Sequence, residues 1–456
     1  MRGHLVNLTL LHEGYKSAQA TGPGNRSPQP GEAEGTEFKT KKKGDKIMKF
    51  RKWIILFSAA LFIFCAGFGT AVAADKEPIN IGVIASLTGY LSDQAQNVVE
   101  GTELAVEEIN ARGGLLGRPI KVHVRDDEMK PPVGTRRFED LVKNQGIVMH
   151  TGVVFAPIAS SIQQVNKQLG EKGVILFQAA TNDMEQNPKN MQPNLFFAGS
   201  SLEAYGLVGG EHMARNFGKK TVILYADYAG WGWVIRDAFI KNATANGGEI
   251  LGALAIPPGT TDFQPFLTQV MAKNPDYATF IVNGMMLINC MKQAYAMGMK
   301  DKMKFVTFHV NIEEVNGCSP EVIKDVMMVT DYFWNIQTDK NKAFLEEYFK
   351  KYGSGKRPSM RTFLHYASVM MWADAVKKAG KVDPKAVAAG LLGFKADYGE
   401  GEMRIRTTGD HTTIKPIVVA RGKGPNEMKD KFDTQEIVKL YIGEKYFHTP
   451  KEKGWE

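Results

Sequence analysis

The chain has 456 residues, 43% of them hydrophobic, which is enough for two ordinary domains, each with its own core. Its formal charge is +8, but residues 1–74 hold 11 Lys/Arg against 5 Asp/Glu, leaving 46 against 44 for the remainder. A nearly neutral body, with no basic patch interleaved with stacking aromatics, excludes nucleic acid as a partner on charge grounds.

Residues 1–47 mix Gly, Pro and Glu with the run Lys41-Lys42-Lys43 and show no sustained apolar period. They read as a disordered or spurious N-terminal extension. Residues 48–74 read as a signal peptide: Lys49, Arg51 and Lys52 form the charged start, residues 53–68 the apolar stretch, and Ala71-Val72-Ala73 the cleavage site. Such a peptide works at the front of a chain, so Met48 reads as the true start. The apolar run falls short of the roughly 20 residues a membrane span needs, which argues against an anchor. Cys65 follows Phe62-Ile63-Phe64 and lacks the small residue that precedes a lipid-modified cysteine. Export to the periplasm, with no stable membrane insertion after cleavage, is the expectation. Cys290 and Cys318 then remain, either as one disulfide or as two buried thiols.

From Ile79 onward short β-branched runs alternate with helical patterns, the signature of βαβ units. Strands are expected at residues 79–85, 120–125, 147–152 and 174–178. Val98, Thr102, Ala105 and Ile109 lie at spacings of one helix face, and Gly113-Gly114 ends that helix. The same grammar restarts at Thr221, with strands at 221–226, 249–256 and 278–282 and helices at 234–246 and 263–273. Helix-dense segments between Lys340 and Lys378 and a last strand at 416–420 complete the pattern. In open parallel sheets ligands sit at the carboxyl ends of strands. The loops expected to matter are therefore 86–94, 152–161, 178–184, 227–233, 283–288 and 309–314.

Enzyme signatures fail in turn. The first strand is followed by no G-x-G-x-x-G, and Gly353-Ser354-Gly355-Lys356 lacks the spaced first glycine of a phosphate loop. His-Glu-x-x-His, Cys-x-x-Cys and G-x-S-x-G are all missing. No cofactor, metal or enzymatic turnover is expected. His212 and His365 read as packing or surface histidines, and the methionines from Met285 to Met299 as adaptable core.

Together the residues resemble the branched-chain amino-acid-binding (leucine/isoleucine/valine-binding-like) family of type I periplasmic solute-binding proteins. The resemblance is carried by Ile81-Gly82-Val83, Leu87-Thr88-Gly89, Ile109-Asn110-Ala111-Arg112-Gly113-Gly114, Gly117-Arg118-Pro119-Ile120, Asp126-Asp127, Ala179-Ala180-Thr181-Asn182 and Lys292-Gln293-Ala294. It implies an α/β fold of two Rossmann-like lobes with central parallel sheets, joined by a three-strand hinge and closing on a ligand. The N-terminal lobe would comprise residues 75–197 plus 332–400, and the C-terminal lobe 198–331 plus 401–446, with 447–456 as a tail. The function implied is the periplasmic solute-binding component of an ABC importer. Its partners would be an inner-membrane ABC permease and a small ligand, an amino acid or related carboxylate. A ligand-sensing module for a regulator or receptor would use the same fold.

Carried over by resemblance, Ala179 and Thr181 hold the ligand carboxylate with backbone amides and a hydroxyl, beside Phe155 and Ala156, with Trp231 covering the ligand. The chain departs from the family pattern at Ala156, where a hydroxyl residue is usual, and at Asn283, where a tyrosine is usual. At His309 an acid normally pairs with the ligand ammonium, although Glu313 and Glu314 follow closely. A buried ammonium without a carboxylate is strongly disfavoured, so an aromatic or aliphatic acid lacking an amine is the alternative ligand.

Overall fold

The run INIGVIA places branched side chains on both faces, which suits the middle of a parallel sheet covered on both sides. In the computed structural model, which describes residues 76–89, 91–178, 188–227 and 230–455, this run is β1 (Ile79–Ala85), between β2 (Ile120–Asp126) and β3 (Met149–Gly152). With β4 (Ile175–Gln178) and β5 (Leu195–Phe197), the order is β2-β1-β3-β4-β5, all parallel. The crossovers are α1 (Ser92–Ala111), α2 (Pro131–Asn144) and α3 (Ala156–Gln168). Val98, Thr102, Ala105 and Ile109 are all buried on α1, as their spacing requires.

The expected signal peptide and the extension before it lie outside the described residues, as do Ala179, Thr181 and Tyr228. Among the described residues no helix is long and apolar enough to cross a membrane.

The second sheet repeats the winding. Strands β6 (Lys220–Ala226), β7 (Glu249–Ile256), β8 (Tyr277–Ile281), β9 (Lys304–Phe308) and β10 (Met327–Thr330) run parallel in the order β7-β6-β8-β9-β10. Around them lie α4 (Leu202–Asn216), α5 (Gly232–Ala245), α6 (Gln264–Ala272), α7 (Gly284–Ala296), α8 (Ile312–Asn316) and α9 (Pro320–Ile323). α4 and α5 pack closely because Gly206 carries no side chain; a Cβ there would sit 2.5 Å from the Ile235 carbonyl oxygen.

The chain then returns to the first layer. There α10 (Asp339–Tyr352), α11 (Met360–Ala379) and α12 (Pro384–Leu391) gather, and α11 packs along α1 and against β3. A small antiparallel sheet of β11 (Lys395–Ala396), β12 (Met403–Ile405) and β13 (Thr413–Ile414) follows. Finally β14 (Ile417–Gly422) and β15 (Gln435–Tyr441) join the second sheet antiparallel beside β10. That sheet is therefore mixed rather than wholly parallel: β14, reached by a long excursion through the first layer, pairs antiparallel with β10, and a short loop returns β15 antiparallel to β14. Within residues 447–455, Phe447 and His448 are buried and the Trp455 ring lies over Gly409, while Thr449, Lys451, Glu452 and Gly454 are exposed.

Three passages connect the layers, after β5, after β10, and between β13 and β14. Buried charge ties them together. Lys415 Nζ lies 2.5 Å from Glu400 Oε2 and 3.9 Å from Asp331 Oδ2, all three side chains being fully buried. Ser200 N–H donates to Asp331 Oδ2 at 3.0 Å. Burial pushes the Glu400 carboxyl up to about 7 despite the Lys415 ammonium beside it. Thr413 Oγ1 donates to the Phe197 carbonyl at 2.6 Å, so the third passage is also bonded to the first.

Candidate ligand-binding site

Both sheets share one winding, so each has a switch point where the strand order reverses, between β1 and β3 and between β6 and β8. Ligands of open α/β sheets bind outside the carboxyl ends of strands at such points. The loop after β1 is fixed from beneath. Asp126 accepts from Leu87 N–H at 3.0 Å and from Thr88 Oγ1 at 2.9 Å, while Asp127 accepts from Met129 N–H at 2.8 Å. Asn110 clasps the backbone of Ile120 from both sides, and Gln293 bonds Phe263 N–H and the Thr261 carbonyl. The motifs that carried the resemblance therefore build the frame of the site.

Backbone strain occurs just beyond the carboxyl ends of β3 and β9. Val153, just beyond β3, has φ 64°, and His309, just beyond β9, has φ 53°. A β-branched residue in the left-handed region is a true outlier, and strain of this kind gathers at functional sites. Each is held by a hydrogen bond of 2.7 Å, Val153 N–H to the Ile84 carbonyl and His309 N–H to the Val329 carbonyl.

Phe155, half-buried, ends the strained loop, and exposed Ala156 opens α3 without a side-chain cap. Across the second switch point Trp231 is buried at the start of α5, and half-buried Asn283 precedes α7. The Trp231 ring meets His309 edge-on at 6.3 Å, and Tyr205 of α4 lies tilted against the same imidazole at 5.3 Å. Trp231 and His309 are thus brought together.

His309 is buried. Burial lowers its pKa to about 4, aided by the Arg361 charge and only partly opposed by Asp331. The imidazole is neutral at pH 7. Glu314 closes the capping box of α8, accepting from Asn311 N–H at 2.8 Å and Gly284 N–H at 3.2 Å, so it is committed to structure. Glu313 is different. Its Oε1 accepts a hydrogen bond from Asn97 Nδ2 of α1, joining the two layers, and its Oε2 is buried without a partner. Burial and the neighbouring Glu314 raise its pKa to about 7, against Arg361 and Asn97.

Sequence reasoning missed Arg361. It is the second residue of α11, a helix buried almost all round and started by the Ser359–Thr362 capping box. Its charge acts on His309, Glu313, Glu314 and Tyr205. A cation in a first turn opposes the helix dipole, and that conflict was the available signal. Asn97 and Tyr205 gave none. His212 bonds Tyr441 Oη at 2.8 Å and His365 the Arg361 carbonyl at 2.8 Å, both packing roles. Cys290 and Cys318 are buried free thiols, and burial raises the pKa of both. Among the described residues no cluster of metal-ligating side chains occurs.

Two doubly wound layers joined by three passages define a two-lobed α/β architecture. The periplasmic binding protein family model matches residues 78–428, and the chain belongs to that family. A Leu/Ile/Val-binding protein, BraC3, of Rhizobium johnstonii is 29% identical over 204 residues; the match covers 44% of this chain and 54% of that one, about half the relative's length. A crystal structure of a periplasmic binding protein from Burkholderia mallei shares 25% identity with a TM-score of 0.72, covering 82% of this chain and 98% of its own. A solute-binding protein of an ABC transporter from Rhodopseudomonas palustris, solved with 3,4-dihydroxybenzoic acid, shares 22% identity with a TM-score of 0.71, covering 80% and 98%.

Proposed function

We propose that the protein is the exported solute-binding component of an ABC importer and that its ligand is a small carboxylate without an amine on an apolar or aromatic body. The observation that carries the ligand class is the pairing of neutral His309 with the nearby Arg361 charge where an amino-acid binder needs an acid. A guest bearing a negative end is favoured beside a cation, and one bearing a buried ammonium is disfavoured. Trp231 and Phe155 supply flat apolar area with little rotamer loss. The resemblance assigns the carboxylate to Ala179, Thr181 and Ala156, which would hold it by amide hydrogen bonds, with Asn283 as a further candidate contact. Binding works by capture: the guest favours the closed form through its greater affinity for it, and a permease reads that form. No covalent step is involved.

One observation favours a full α-amino acid instead. Glu313 Oε2, buried and without a partner, would accept from an ammonium. Calorimetric titration with matched pairs separates the two: phenylalanine against 3-phenylpropanoate, and leucine against 4-methylpentanoate. Tighter binding of the amine-free member supports the proposal. Binding confined to the amino acids refutes it.

A further inference from the structure

The chain beyond β15 is fastened to both layers. On the second-layer side, the turn holding Tyr446 packs on α4, and the buried Tyr446 ring meets Tyr441 edge-on at 5.4 Å. Lys445 Nζ lies 3.2 Å from Glu211 Oε2 of α4, and Glu452 Oε1 lies 3.3 Å from Lys241 Nζ of α5. Contacts to the small sheet alternate with these. Glu444 pairs with Arg404 at 3.1 Å and with Arg406 at 3.3 Å, and Arg406 Nη1 donates to the His448 carbonyl at 2.7 Å. The small sheet is itself held to the first layer: His411 bonds the Leu195 carbonyl at 2.7 Å and stacks on Phe196 at 4.5 Å, both of β5. The Trp455 ring, over Gly409, packs against the core cluster that contains Leu195 and Phe197. His448 joins the two sets. It is buried, with Nε2 3.1 Å from Asp410 Oδ2 of the β12–β13 turn and Nδ1 3.5 Å from Glu203 Oε2 of α4, and Glu203 also meets Lys453 Nζ at 3.6 Å. Asp410 stands before the third passage and Glu203 just after the first.

We infer that residues 444–455 are a strap across the hinge, which resists separation of the layers and biases the ligand-free protein toward its closed form. This rests on the capture reading above and adds to it what sets the balance between open and closed. In this structure the layers are together, Asn97 of one being bonded to Glu313 of the other. Swinging them apart about the passages changes the spacing of Asp410 and Glu203, and one buried imidazole cannot follow both. Separating a buried ion pair leaves a charge uncompensated, so the motion is opposed; it also draws the strap from Glu203 or the Trp455 ring from the first-layer core. The exposed Lys241–Glu452 pair adds little. Because the closed form is favoured before a ligand arrives, less of the ligand's binding energy goes into closing the layers, and apparent affinity is higher than cleft contacts alone would give.

The test is pulsed electron–electron distance measurement on the ligand-free protein. Spin labels go on Lys130→Cys, beyond β2, and Met285→Cys, beyond β8, exposed positions on opposite layers; Cys290 and Cys318 are buried, and Cys65→Ser removes the third thiol. Trp455→Ala releases the first-layer end of the strap, and Glu203→Gln removes its charged partner on the second layer. Each should raise the long-distance population several-fold. Asn97→Ala, which frees the layers away from the strap, calibrates the readout. If Asn97→Ala widens the distances and neither strap variant does, or only one of the two folded strap variants does, the strap is overturned and the capture reading stands. If Trp455→Ala fails to fold, Glu203→Gln alone decides. If nothing widens, the layers do not swing, and the closing motion on which capture depends falls together with the strap.

Discussion

Asn97 and Glu313 come from different layers, so their hydrogen bond exists only when the layers are together. Asn97→Ala removes the side-chain donor to a buried carboxyl group. A hydrogen bond to a charged group is worth about 1.5–3 kcal/mol. The closed form should lose that much relative to the open one, and apparent ligand affinity should fall by roughly 10- to 150-fold. Proton linkage sharpens the expectation. The Glu313 pKa is about 7 in the closed form, raised by burial, and should return to its ordinary carboxylate value of about 4.3 when exposed. Closure then takes up a proton. Its stability is complete below the ordinary value and is lost as pH rises through about 7, by about 4 kcal/mol in all. Titration calorimetry between pH 5 and 8.5, in buffers of different ionisation heat, measures affinity and proton uptake together. Glu313→Gln should keep the contact with Asn97 and abolish the pH dependence. An Asn97→Ala protein with unchanged affinity and an unchanged profile would refute the reasoning.

Three further outcomes follow from buried contacts. Lys415→Met leaves Glu400 and Asp331 without their cation in a fully buried site and should cost about 3–5 kcal/mol of folding stability, read from urea denaturation. Adding Glu400→Gln should recover part of that. His448 sits between Asp410, at 3.1 Å, and Glu203, at 3.5 Å; burial opposes its charge, but the two acids prevail and its pKa is raised. Its contribution is complete below the ordinary histidine value and lost as pH climbs through the raised one. The melting temperature of His448→Gln should therefore fall below wild type most at pH 6, with the gap closing by pH 8.5. Gly101→Ala places a Cβ 2.0 Å from the Thr362 carbonyl oxygen, forcing α1 from α11 and costing about 1–3 kcal/mol; an unchanged denaturation midpoint would contradict that packing.

The alternation of branched runs with helical faces located β1, β2, β4, β6, β7, β8 and α1 to within a few residues, because burial on both faces of a parallel sheet imposes a near-continuous apolar run. Strands β5, β9 to β13 and β15 escaped notice. β5 and β10 have three and four residues, too few to show a period. β15 is an edge strand, with a mixed burial pattern that resembles a loop. Asp126, Asn110 and Gln293 were legible as motifs, but the partners they brace, from 10 to 39 residues away, were not.

What sequence alone determined was the frame: two α/β layers in which the same strand–helix alternation repeats. What only tertiary structure decided was the company His309 keeps. Tyr205, Asp331 and Arg361 lie on three separate elements, up to 156 residues apart in the chain, and local periodicity carries no information about such distant neighbours. Proton affinity depends on burial and on the charges nearby in space, so the pKa of His309 is lowered and that of Glu313 raised by neighbours that only the tertiary fold brings together.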